Sequence, residues 1–76
     1  ANLTSDRIDA LGQAGMAALS RGDAPLARQH FQAIVAGGGA DASVWLAIGL
    51  ACQVMDDEDG LNQALDQVLI FEPQNL

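Results

Sequence analysis

The residues whose types could do chemistry are few: Cys52, His30, Trp45 and the run Asp56-Asp57-Glu58-Asp59. A nucleophile needs a base within hydrogen-bond reach. Cys52 and His30 fall in separate segments, and no Ser or Asp is placed to pair with His30. Cys52 occupies a packing position, so it reads as a buried, inert thiol. His30 reads as outward-facing, and Trp45 as a core residue before a stacking platform. A single cysteine excludes an internal disulfide, and with one histidine it is too little for a Cys/His zinc cage within one chain. The acid run invites a calcium reading. Aligning Gly60 with the glycine of an EF-hand loop, however, puts Met55 at the first ligand position, where an Asp is needed. The same acids suit a helix N-terminus, where each is worth about 0.3–1 kcal/mol against the free N–H groups and the helix dipole. Gly37-Gly38-Gly39 lacks the Lys-Ser/Thr of a phosphate loop and follows a helix, so it reads as a turn. No cofactor, no metal and no catalytic residue are expected.

Composition points the same way. Seventy-six residues make one small domain, and half of them are hydrophobic. The formal charge is −7, from ten acids against Arg7, Arg21 and Arg28, with no lysine. That balance disfavours nucleic acid and anionic membranes, whose affinity comes from basic side chains. Ala1-Asn2-Leu3-Thr4-Ser5-Asp6 has no basic region followed by an apolar run, so no signal peptide is expected and a cytoplasmic protein is. The longest apolar helical run, Ala42 to Met55, reaches about 21 Å against a hydrocarbon core of roughly 30 Å. The chain is expected to hold something rather than react with it, and a basic partner docking on the acidic surface is one expectation.

Four helical segments must position these residues. The first starts after Thr4 or Ser5, both plausible N-caps, and runs to about Ser20. The second has Asp23 as cap and Pro25 in its first turn, where a missing N–H costs nothing. It ends near Ala36, with Gly37 able to take the left-handed cap conformation. Asp41 or Ser43 caps the third, which runs to about Met55. The fourth starts within Asp56–Asp59 and ends before Pro73.

The two halves match at one constant offset, the separation of Leu11 from Trp45. Leu11, Ala14, Gly15 and Ala18 align with Trp45, Ile48, Gly49 and Cys52. The same offset takes Asp23 to Asp57, Ala27 to Leu61, Phe31 to Leu65, Ile34 to Val68, Val35 to Leu69 and Gly39 to Pro73. A helix–turn–helix period of this length, about 34 residues, resembles the tetratricopeptide repeat. The resemblance covers residues 8–41 and 42–75, after a lead of residues 1–7. The second copy carries Trp45, Gly49 and Pro73 where the family has Trp, Gly and Pro. It departs at Cys52, where an aromatic is usual, and at Leu61, where a small residue is usual. The first copy lacks the Trp and the Pro. The implied fold is all-α: two antiparallel hairpins stacked as a short right-handed solenoid. Gly15 and Gly49 are expected to let the two helices of each hairpin approach.

The resemblance also implies a site. In this family the first helix of each repeat lines a concave groove, here Gly12, Met16, Leu19 and Ser20 with Leu46, Leu50, Gln53 and Val54. Leu46, Leu50 and Val54 form one stripe, while Val44, Ile48, Ala51 and Met55 form another that must serve the core. An apolar groove of this kind suits an amphipathic helix, an extended apolar peptide or the protein's own downstream segment. The family's Lys/Arg/Asn clamp for a C-terminal carboxylate corresponds to Gly12, Met16 and Ala47, so that ligand is disfavoured. Three or more repeats are usual. Val68, Leu69, Phe71 and Leu76 lie where a third would pack, which implies a piece of a longer array or a homodimer.

A second reading is an accessory segment ahead of an enzyme. The repeats preceding some bacterial aspartyl/asparaginyl β-hydroxylases look similar, with a comparable Arg21-Gly22-Asp23 turn, Trp45-Leu46-Ala47 stretch and Glu72-Pro73-x-Asn75-Leu76 ending. Sulfotransferases with leading repeats look similar too. On that reading the catalytic residues lie beyond Leu76.

Overall fold

A computed structural model describes residues 4–71. They form four helices and no strand: α1 (Ser5–Ser20), α2 (Ala24–Ala36), α3 (Ala42–Val54) and α4 (Glu58–Phe71). Each start has a side-chain cap. Thr4 Oγ1 accepts from Arg7 N at 3.3 Å, Asp23 Oδ1 from Leu26 N at 3.4 Å and Asp41 Oδ1 from Val44 N at 2.9 Å. Asp57 Oδ1 accepts from Gly60 N at 3.0 Å. Each bond satisfies one of the N–H groups a helix leaves open at its start. Ser43 is not the cap of α3; its hydroxyl donates to Asp41 Oδ1 instead.

The internal period has a backbone counterpart. The ends of α1 and α3, at Ser20 and Val54, are separated by the same offset as Leu11 and Trp45. So are the starts of α2 and α4, at Ala24 and Glu58. Asp23 N donates to Ala18 O at 2.8 Å, and Asp57 N donates to Cys52 O at the same distance. Gly22 N reaches Leu19 O, and Asp56 N reaches Gln53 O. Both turns are therefore closed by the same pair of crossed bonds around a left-handed residue, Gly22 at φ 80° and Asp56 at φ 58°. The end of α2 repeats the device, but its left-handed residue is Gly38 at φ 85°. Gly37 is right-handed at φ −85°, so the expectation for Gly37 shifts by one residue. The motif needs the left-handed residue one position past the cap, and Gly37 is itself the cap.

Successive helices pack in chain order, α1 on α2, α2 on α3 and α3 on α4. α1 meets α3 only marginally, and α4 packs on α3 alone among the described helices. A closed four-helix bundle would bring α1 against α4; this chain leaves them apart. The core runs through the hairpins as one cluster of Ala18, Ala24, Ala27, Phe31, Ile34, Ala47, Ile48, Ala51, Cys52 and Ala64. It is rich in alanine, so the helices sit close and few large side chains are needed to fill it. Trp45, Val44 and Met55 pack against it, half-buried, and Ile48 and Ala51 lie within it. This is the core stripe expected of α3.

Candidate functional site

Where α1 and α3 diverge above α2 they leave an open groove of about 540 Å³. Ile8, Asp9, Gly12, Gln13 and Met16 form the α1 wall, and Ser43, Val44 and Ala47 form the α3 wall. Phe31 and Ile34 of α2 make the floor. Both are buried in the core cluster, so the floor is rigid. A Cβ built on Gly12 meets nothing within 4 Å, so the groove is open beside that residue. Asp9, Gln13 and Ser43 supply the polar groups, and the only charge among the lining residues is negative. A volume of several hundred Å³ is the range of ligand-binding clefts. An apolar floor with a few polar groups at the walls suits apolar side chains carried on a polar backbone.

Of the expected groove residues, Gly12 and Met16 line this groove. Leu19 does not; it is half-buried against the core cluster. Ser20, Leu46, Leu50, Gln53 and Val54 are exposed and lie outside the lining. The exposed stripe of α3 therefore exists, but the cleft opens beside it. Ile8, Asp9, Gln13, Phe31, Ile34, Ser43, Val44 and Ala47 line it without being among the expected groove residues. Two pairs among them, Asp9 with Ser43 and Gln13 with Ala47, match at the offset of the internal period. At the other end Val68 is half-buried, while Leu69 and Phe71 are exposed. Leu76 lies outside the described residues.

The remaining chemical candidates resolve simply. Cys52 is a free, buried thiol. His30 is half-buried rather than outward-facing, because it borders the buried face of α2. Asp57 serves two purposes: it caps α4 and pairs with Arg28 Nη1 through Oδ2 at 3.1 Å, tying α2 to the start of α4. Glu58 and Asp59 occupy the first turn of α4, as expected of acids at a helix start. Trp45 Nε1 is buried with no hydrogen-bond partner among the described residues. No helix of the described residues is long and apolar enough to cross a membrane. No family model, no curated protein and no solved structure matches the chain.

Proposed function

We propose that the chain is a non-catalytic, cytoplasmic protein-interaction module of the tetratricopeptide type, whose groove between α1 and α3 takes the apolar side chains of an amphipathic helix or extended peptide. The observation that supports this reading is the groove itself: two walls from helices one period apart, over a floor of buried Phe31 and Ile34. Gly12 leaves room for a bound backbone, and Met16 supplies an adaptable apolar rim. Asp9 favours a partner with a basic residue beside its apolar anchor. The groove makes no demand for a reactive group, and the one thiol is packed in the core.

The test is to select binding peptides from a displayed helical library and measure them on two groove variants. Gly12→Leu fills empty space, and Met16→Asp places a charge on the rim. Burying one aliphatic side chain is worth roughly 1.5–3 kcal/mol. Each variant should therefore weaken the selected peptides by about tenfold or more. Peptides that bind both variants as well as the unchanged protein would sink the reading.

A further inference from the structure

The internal period supplies a template for a second surface. Among the described helices α2 is flanked by α1 and α3, whereas α4 is flanked by α3 alone. Buried and half-buried positions of α2 have counterparts on α4 that are more exposed. Phe31 is 3% exposed, and its counterpart Leu65 is 42% exposed. Val35 is half-buried, and its counterpart Leu69 is 62% exposed. Ile34 is buried, and Val68 is only half-buried. α2 packs on α3 as well as on α1, and α3 brings a face of small and branched residues: Val44, Ala47, Ile48 and Ala51 belong to the core cluster or pack against it.

Charge then selects the occupant. α4 carries exposed Glu58, Asp59 and Asp66 and no basic residue. Arg28 of α2 pairs with Asp57, but its counterpart on α4 is the uncharged Asn62, so α4 has no base to balance its acids. A second copy of the chain fits poorly. It would bring the same three acids, and α1, the counterpart of α3, offers Ala10, Gln13, Ala14 and Ala17 where α3 has Val44, Ala47, Ile48 and Ala51. We propose that Leu65, Val68 and Leu69 of α4 form a docking face for a separate amphipathic helix, whose apolar side has the small-and-branched pattern of α3 and whose flanks are basic. This surface is distinct from the groove, and the inference does not depend on what the groove binds.

The experiment uses the full chain and a labelled synthetic peptide of residues 42–55, soluble and basic through Leu46→Lys, Leu50→Lys, Gln53→Lys and Val54→Lys. Fluorescence anisotropy reads binding up to about 100 µM, an affinity worth roughly 5–6 kcal/mol. Saturable binding is expected, weakened about tenfold or more by Leu69→Glu and separately by Leu65→Glu, and weakened by salt. Circular dichroism should show the helicity of both variants unchanged, since both side chains are exposed. A scrambled peptide of the same composition should not bind; equal binding would overturn the proposal as mere charge attraction. Binding lost in Met16→Asp but retained in Leu69→Glu would place the peptide in the groove and overturn it. So would an absence of binding, and so would a dimer of the chain alone that Leu69→Glu dissolves, which would assign the face to a second copy.

Discussion

The ring of Phe31 lies against the backbone of Gly15 so closely that a Cβ at residue 15 would stand 2.6 Å from Phe31 Cζ. At the matching position, Gly49, an added Cβ meets Leu61 Cδ1 at 3.4 Å and Ala64 Cβ at 3.5 Å, ordinary van der Waals contact. The two glycines hold equivalent places in the period but only the first is sterically required. The larger Phe31 closes the first hairpin, and the smaller Leu65 stands at its place in the second.

Gly15→Ala should therefore destabilise the protein. Phe31 is buried in the core cluster, so its ring must shift against packed neighbours, and overpacking costs about 1–3 kcal/mol against roughly 1 kcal/mol of helix propensity gained. Gly49→Ala should be neutral or stabilising by up to about 1 kcal/mol, since it gains the propensity without the clash. Urea melts of the two variants check both signs, and equal losses at the two sites would contradict the distances.

The left-handed residue of the second turn is Asp56, where the first turn has Gly22. A side chain costs about 1 kcal/mol in that region, somewhat less for Asp than for most residues. Asp56→Gly should raise the melting temperature by a few degrees, about 4–8 °C per kcal/mol for a domain of this size. Gly22→Ala should lower it by a similar amount. Thermal melts followed by circular dichroism read both.

Arg28 and Asp57 form a pair whose side chains are each about a third exposed or slightly more, so solvent screens it. Arg28→Ala should cost under about 1 kcal/mol, and less in high salt. Asp57→Ala should cost more, about 1–2 kcal/mol, because the cap on Gly60 N is lost with the pair. A double-mutant cycle separates the two contributions, and equal single-variant losses would mean the cap is not formed.

On α3, neighbouring leucine and isoleucine positions should respond oppositely to charge. Leu50 is 47% exposed and Ile48 is 3% exposed. Leu50→Asp should leave the helical signal intact. Ile48→Asp should unfold the chain, since a buried, unpaired carboxylate costs several kcal/mol against a total stability of roughly 3–5 kcal/mol for so small a core. Circular dichroism at low salt distinguishes them, and an unfolded Leu50→Asp would put that side chain in the core.

Much of the fold is legible in the chain because its signals are local. An Asp or Thr three positions before an open N–H at a helix start can cap it through local contacts alone, and Thr4, Asp23, Asp41 and Asp57 do so here. The spacing of Val44, Ile48, Ala51 and Met55 places them on one side of α3 whatever lies opposite. The groove was less legible. Periodicity picked out Leu46, Leu50 and Val54 as a stripe, yet the cleft took Val44, Ala47 and Ser43 from the same helix. Val44 serves both core and groove, which a single helical wheel cannot express.

The sequence by itself determined where the helices start and stop, the period that relates the two halves, and which residues share a face, because backbone hydrogen bonding and helical geometry act over a few residues. The tertiary structure alone decided where α1 and α3 part to open a groove above Phe31, and that Leu65 and Leu69 of α4 stand exposed among the described residues. Those outcomes depend on how closely neighbouring helices approach and on which neighbours exist. Approach is set by small residues such as Gly15 meeting large ones such as Phe31 across the chain, a relation that no single helix contains.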